Sequence, residues 1–293
     1  MNMKRYMKRL SALVTLVILA HTAYAQMDVF GNKVPKSGSH VEKSVNRPDK
    51  PNKVDEQGRR QGEWARKYAN GHYAYTATFV DGKPVGDLTR YDEHGNKTAV
   101  LHYDTPSDTC TAVLYGDNHK KEAEGMYVGK DRHGKWTLYD TDGKVVGIEN
   151  YANAMLDGEQ KYFHSNGQES QRVNYVKGYL HGKCTEFFSN GRLKSESNYV
   201  QGYLDGKYIN YDEMSGEVSA EGVYVNGKPS GKWRMYDGFA KEHYTVTYDS
   251  NGNAINQDEI DQRMQKQMEY YEKNRKYLQD PSDYQRDPER YRP

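Results

Sequence analysis

The chain has 293 residues, enough for one or two ordinary domains, yet Leu, Ile, Val and Phe make up only about 15% of it, too few for a thick aliphatic core. Lys+Arg 42 against Asp+Glu 41 leaves a net charge of +1, which excludes both high-charge disorder and a polybasic binder of nucleic acid. The surplus is in 27 Tyr and 27 Gly, amphipathic rings and turn formers, and two cysteines are too few for a disulfide framework or a four-ligand zinc site.

Lys4, Arg5, Lys8 and Arg9 precede an apolar run from Leu10 to Ala20 that closes on Ala23-Tyr24-Ala25. This pattern predicts a secretory signal peptide over residues 1–25, cleaved after Ala25. The run falls short of the roughly 20 apolar residues that span a bilayer, and no other stretch approaches that length. The mature chain is therefore expected to be periplasmic or secreted, with no transmembrane span. Gln26 stands where a lipid-anchored bacterial precursor would need cysteine. Residues 26–54, rich in Lys, Ser, Pro and Asn and without a period, read as a flexible leader.

From residue 55 to residue 252 the sequence repeats every 24 residues. Aromatic residues start the units at Phe79, Tyr103, Tyr127, Tyr151, Tyr175 and Tyr199, then at Tyr224 after one inserted residue, and Asp55 starts the first of eight. Seven residues after the starts stand Gly62, Gly86, Gly134, Gly158, Gly182, Gly206 and Gly231, with Cys110 as the exception. Twelve after them come Tyr91, Tyr115, Tyr139, Phe163, Phe187, Tyr211 and Tyr236. Trp64, Trp136 and Trp233, all the tryptophans of the chain, lie nine after their starts.

Each unit reads as a β-hairpin. Asn70-Gly71, His94-Gly95, Asp142-Gly143, Asn166-Gly167 and Asn190-Gly191 suit two-residue type I′ turns, in which both central residues take positive φ. A second set, Asp81-Gly82, Lys177-Gly178, Gln201-Gly202 and Asn226-Gly227, turns one unit into the next. The expected fold is all-β: a single elongated antiparallel meander solenoid of about sixteen strands, each about 4–6 residues, held by aromatic cross-strand ladders and unit-to-unit stacking. The glycines at position 7 are expected to let the backbone turn or approach a neighbouring ring.

Segments such as Tyr175-Val176-Lys177-Gly178-Tyr179-Leu180-His181-Gly182-Lys183, and the stretch from Tyr224 through Gly227, Gly231 and Trp233 to Tyr236, resemble the variant MORN repeat, named for membrane occupation and recognition nexus. The resemblance covers roughly residues 55–250 and implies a binding role rather than chemistry. Bacterial proteins with this variant are often grouped as an antitoxin-component family, and other MORN proteins are linked to protein scaffolding and to phospholipids. The unit from Tyr103 departs most from the pattern, with Pro106 and Cys110 in the two glycine positions, so a distorted or looped-out repeat is expected there.

After Gly252 the pattern becomes helical over residues 253–280. Asn256 and Glu259 suit a capping box, and Ile260, Met264, Met268 and Tyr271 form one stripe that ends before Pro281. The helix is expected to cap the last strand, the alternative being a partner-binding or self-associating helix. Residues 281–293 read as a disordered tail.

No His-x-x-x-His, no Gly-x-Ser-x-Gly and no acid–base companion beside either cysteine is present, so the reading is of a protein that is not an enzyme and takes no cofactor. The candidate binding surface is the aromatic rows: Trp64, Trp136 and Trp233; Tyr91, Tyr139, Tyr211 and Tyr236; Tyr151, Tyr175, Tyr199 and Tyr224. Gly134, Gly158, Gly182, Gly206 and Gly231 are its turn glycines. The expected partner is a protein of the cell envelope, the alternatives being a glycan, a phospholipid or a toxin-like protein. Anionic lipid is disfavoured, because loss of the four leader cations leaves a mature charge of about −3 with signs interspersed. Cys110 and Cys184, three units apart, are expected to be free thiols or to join two chains, with Cys110 the more exposed.

Overall fold

The computed structural model describes residues 52–237 and 242–274. The expected signal peptide, most of the leader and the expected tail lie outside the described residues. The chain divides into two compact units between residues 134 and 135.

The first unit carries β1 (Lys53–Val54), β2 (Arg60–Lys67), β3 (Tyr73–Val80), β4 (Lys83–Tyr91), β5 (Lys97–Tyr103), β6 (Thr109–Tyr115) and β7 (Lys121–Val128). Each pairs antiparallel with the next. Lys53 and Val54, which composition assigned to the leader, thus form a strand on Arg60 and Gln61. The boundary falls within β8 (Asp131–Tyr139).

The second unit carries β9 (Val145–Ala152), β10 (Met155–Leu156), β11 (Gly158–Phe163), β12 (Glu169–Val176), β13 (Tyr179–Phe187) and β14 (Leu193–Val200). It continues through β15 (Tyr203–Leu204), β16 (Gly206–Tyr211), β17 (Val218–Val225), β18 (Lys228–Asp237) and β19 (Glu242–Tyr248) to helix α1 (Gln257–Asn274). From β9 onward this too is an antiparallel meander. The fold is all-β with one C-terminal helix.

Both β10 and β11 pair with β9, and both β15 and β16 pair with β14. Each couple is one strand interrupted beside a glycine, so two long strands per 24-residue unit is the right count. The strands are longer than expected, however, at up to 10 residues. In β2, β4, β8, β13 and β18 they continue through the position-7 glycine instead of stopping at it. Between Val173↔Cys184 and Tyr175↔Leu180, one residue of β12 faces three of β13, Gly182 among them. All seven position-7 glycines have φ between +64° and +106°, the region that side chains disfavour. At Gly62, Gly86, Gly182 and Gly231 a Cβ would meet nothing within 4 Å, so the requirement is the bulge's backbone angle and not closeness to a ring.

The turn types are the reverse of those expected for the first set. At Asn70-Gly71 and its equivalents only the glycine has positive φ. There Gly71 N–H donates to Tyr68 O (3.0 Å) and Tyr68 N–H to His72 O (2.8 Å), a three-residue loop ending in a left-handed glycine. The two-residue turns with positive φ at both centres are the inter-unit ones: Asp81-Gly82, Lys177-Gly178, Gln201-Gly202 and Asn226-Gly227. Their glycine N–H groups donate to the preceding unit, Gly178 to Leu156 O, Gly202 to Leu180 O and Gly227 to Leu204 O, each at 2.8 Å.

The interior is built by pairs. The residue nine after each start faces the residue two before the next start: Trp64↔Ala77, Leu88↔Leu101, Ala112↔Gly125, Gln160↔Val173, Cys184↔Ser197 and Tyr208↔Gly222. Ala77, Leu101, Ala112, Val173, Gln160, Cys184 and Ser197 are all buried. Large meets small: a Cβ on Gly222 would lie 2.2 Å from the Trp233 ring, so only glycine fits beneath that indole.

The unit from Tyr103 is distorted where it opens, residues 104–108 forming a bend in place of the two-residue turn, but it is not looped out. β6 pairs with β7 over seven residues, and Cys110 faces Tyr127 as the position-7 glycines elsewhere face the next start. Helix α1 forms, but without the expected capping box. The Asn256 carboxamide does donate to the Glu259 carboxylate (3.0 Å), but its oxygen accepts from Thr247 N–H (2.9 Å) and its NH2 also donates to Thr245 O (2.9 Å), closing part of the outer edge of β19. Arg263 reaches the same strand, pairing with Glu242 at 2.8 Å and stacking 4.8 Å above the Tyr244 ring. Further along, Met268 and Tyr270 are exposed, so the helix cap acts through its first turns.

Candidate interaction surface

Of the rows singled out in the sequence, two tryptophans are buried and the other residues are half-buried. Trp136 is fully buried and Trp233 is 5% exposed, while Trp64 is half-buried. Tyr91, Tyr139, Tyr211, Tyr236, Tyr151, Tyr175, Tyr199 and Tyr224 are all intermediate. In the second unit Trp233 packs against Tyr208 (5.7 Å), Tyr224 (4.9 Å) and Tyr248 (6.0 Å between ring centroids). Its Nε1–H donates to Val223 O at 3.2 Å. The two tryptophans that are buried are packing elements of the repeat rather than contact surface.

Polar groups inside the second unit satisfy one another. Glu149, 7% exposed, accepts from the Tyr151 hydroxyl (2.7 Å) and the Tyr162 hydroxyl (3.1 Å). Burial, then the neighbouring Glu149 charge, pushes the Tyr162 phenol far up. Gln160, fully buried, accepts from Asn150 N–H at 2.6 Å and donates to Asn150 O and Gly158 O. Cys184 is buried as a free thiol pushed up to about 11 by desolvation, so it is protonated and inert at neutral pH. Cys110 is likewise free and, contrary to expectation, 3% exposed, because it faces the buried Tyr127 where the pairing of β6 with β7 is regular. Among the described residues no group of three His, Cys, Asp or Glu is placed to hold a metal ion, and no helix is long and apolar enough to cross a membrane. An open recess lined by Lys144, Val145, Phe163 and Asn166 has its cation already donating to Ser165 O (3.2 Å).

The outer strand faces are charged and self-paired. In the second unit Lys183 pairs with Glu196, Lys161 with Glu159 (3.1 Å) and Arg234 with Glu221 (3.2 Å). The Lys183 hydrogen bond is the main cause holding the Glu196 carboxyl below its ordinary range. In the first unit the His102 imidazole lies between Asp87 (Nδ1 to Oδ1, 2.7 Å) and Asp104 (Nε2 to Oδ1, 3.3 Å). The Asp87 hydrogen bond, with both carboxylates' charge, raises its pKa. A raised folded-state pKa adds stability that is complete below the unfolded value of about 6.5 and vanishes as pH rises through the folded value. Stability of the first unit should therefore increase between about pH 8 and pH 6, and His102→Gln should flatten that slope in urea titrations at the two pH values. An unchanged slope would assign the dependence elsewhere.

The inter-unit turns of the second unit carry a different surface. Val176 faces Tyr179, Val200 faces Tyr203 and Val225 faces Lys228 across these turns. Tyr179 and Tyr203 are 63% and 64% exposed, more than any other aromatic side chain among the described residues, and Met155 and the three valines are exposed with them. Each rung rests on the next turn: Met155 on Gly178, the Tyr179 ring on Gly202 and the Tyr203 ring on Gly227, with Cβ positions 3.5–4.0 Å away. The result is an apolar ridge repeating once per unit. Sequence reasoning did not single out these residues, although the rule that neighbours in a strand face opposite ways places Val176 and Val200 outside once Tyr175 and Tyr199 are inside.

Among curated proteins none matches the sequence significantly. Of solved structures, that of TarM is similar with a TM-score of 0.26 at 14% identity, over 32% of this chain and 19% of that one. A TarM variant of S. aureus in complex with Fondaparinux, alpha-GlcNAc-glycerol and UDP gives a TM-score of 0.20 at 14% identity, over 37% and 19%. The GtfA/B complex bound to UDP and GlcNAc gives 0.17 at 14% identity, over 39% and 22%. The chain thus spans about a fifth of the length of these structures, and likenesses this slight say nothing about its activity. With starts 24 residues apart, in step with the hairpin period, residues 132–153, 156–177 and 180–201 match the MORN repeat variant as three tandem copies.

Proposed function

We propose that the chain is an exported, non-enzymatic binding module of the bacterial cell envelope, and that it holds a protein partner on the ridge of its second unit. MORN repeats generally occur in modules that bind proteins or membranes, which supports binding over chemistry. The observation that carries the reading is the ridge itself, where two tyrosines more than 60% exposed stand among valines, beside strand faces that carry ionic pairs such as Lys161–Glu159, Lys183–Glu196 and Arg234–Glu221. Rigid exposed aromatic rings are the groups that dominate protein interfaces. Export rests on the N-terminal sequence pattern, from Lys4 to Ala25.

A photo-crosslinking residue at Gln201, beside the ridge, compared with one at Thr185 on a strand, tests this in envelope extract. A discrete protein adduct from position 201 alone is the expected result. Equal labelling from both positions, or adducts made only of lipid or glycan, would overturn it.

A further inference from the structure

The ridge has a period, and a period selects partners. Tyr179, Tyr203 and Lys228 occupy the same position in successive units, directly after the turn and opposite Val176, Val200 and Val225. With two strands per unit at about 4.8 Å each, successive rungs are about 9.6 Å apart. An extended β-strand offers same-face side chains about every 6.8 Å. An α-helix offers them every 5.4 Å or, over two turns, about 10.8 Å. A polyproline II helix, with three residues per turn at about 3.1 Å, returns to one face every 9.3 Å or so. It needs no partner strand for its backbone, and aromatic rows are what it docks on.

Charge fixes the third rung. Lys228 and the turn residue Lys177 are exposed and have no ion pair among the described residues. The carboxylates of the same edge are engaged inward: Asp157 accepts from Lys177 N–H and Asp205 from Asn226 N–H, each at 3.0 Å, and both are half-buried. The ridge therefore presents Lys177 in the turn beside Tyr179, then the two rings, then Lys228 at the third rung. Each ring lies over a glycine of the next turn, Tyr179 over Gly202 and Tyr203 over Gly227, so no side chain of that turn covers it.

We infer that the ridge binds a proline-rich segment of a partner protein in the polyproline II conformation, with apolar residues three apart on Tyr179 and Tyr203 and an acidic residue three further on, at Lys228. This deepens the proposed function, on which it rests.

The test uses the purified mature chain and a labelled peptide of nine prolines followed by three glutamates, together with its reverse, by fluorescence anisotropy. Binding of one of the two orientations is expected. It should weaken about tenfold or more in Tyr179→Ala and in Tyr203→Ala, as for aromatic anchors. Tyr179→Phe should retain it. Lys228→Glu should lose it and instead accept a peptide ending in three lysines. Thermal melts are expected to be unchanged, since both rings are exposed; should an alanine variant unfold, the Lys228 charge reversal still decides. Absence of binding by both peptides, equal binding by Lys228→Glu, or binding of a β-linked glucose hexamer at the same tyrosines would overturn the inference. If the Gln201 crosslink to a protein persists while both peptides fail, the binding module stands and the polyproline assignment falls.

Discussion

Replacing Trp233 with alanine is expected to destabilise the second unit by about 3–5 kcal/mol, the range for a large aromatic side chain removed from a packed interior. The indole is 5% exposed and touches three tyrosine rings at 4.9–6.0 Å, and aromatic pairs add about 0.5–1.5 kcal/mol each beyond the area they bury. Gly222 lies directly beneath it, so no side chain from below fills the cavity left behind. The adjacent backbone loses a partner as well, since Val223 O accepts from the indole N–H. Trp64 provides the comparison: it is half-buried, with one ring partner, Phe79, at 6.0 Å. Trp64→Ala should cost about half as much or less. Urea titration followed by far-ultraviolet circular dichroism measures both. Equal losses at the two positions would mean that the repeat is stabilised by its turns and hydrogen bonds rather than by this ring cluster. Gly222→Ala probes the same contact from below, with an expected loss of about 1–3 kcal/mol from overpacking.

Deleting residues 175–198, one full period, should leave a folded protein, whereas deleting residues 175–186 should abolish cooperative unfolding of the second unit. In the first case Asn174 is joined to Tyr199, and each bond across the junction finds an equivalent group. Gly202 N–H replaces Gly178 N–H on Leu156 O, and Gln201 N–H replaces Lys177 N–H on Asp157. Val173, which faces Cys184, would face Tyr208 in the same interior position. His164 Nε2, now 2.9 Å from Phe187 O, would meet Tyr211 O at the corresponding place. In the second case Asn174 is joined to Phe187, so a strand is fused to the end of its own neighbour. The inter-unit turn is lost, and the following residues run in the wrong direction with their buried and exposed faces exchanged. In a repeat array each unit contacts only its neighbours, so the full-period deletion costs one interface and preserves the rest. Comparable melting transitions for the two variants would rule out the hairpin as the repeating element.

Much of this architecture was legible in the sequence because repetition averages out local ambiguity. A single run such as Lys135-Trp136-Thr137-Leu138-Tyr139 is an uncertain strand; a period repeated over eight units, seven of them with the glycine and seven with an aromatic start, is a hairpin array. The turn types were less legible. Asn166-Gly167 and Asn226-Gly227 look alike as dipeptides. The first, however, closes a three-residue loop with His164 N–H on Gln168 O, and the second is a two-residue turn with both residues at positive φ. Loop length, set by where the flanking strands pair, makes the difference.

The same cause hid the ridge. Tyr175 and Tyr179 are four residues apart, and simple alternation would put both on one face, yet Tyr175 is half-buried in the tyrosine interior and Tyr179 is 63% exposed. The two-residue turn between them pairs Val176 with Tyr179, so the residues flanking the turn share a face, and that face is the one opposite Tyr175. The position-7 bulge then lets the strand continue without ending at its glycine, which is why the strands exceed their expected length. The sequence by itself determined the period, the hairpin and the place of the turns marked by a dipeptide ending in glycine, because these are local or repeated. Only the tertiary structure decided which tyrosines are half-buried and which are exposed, that Cys110 is buried, and that Asn256, besides meeting Glu259, closes a strand edge. Each of these depends on neighbours one or more strands away, brought into contact by pairing that no local pattern specifies.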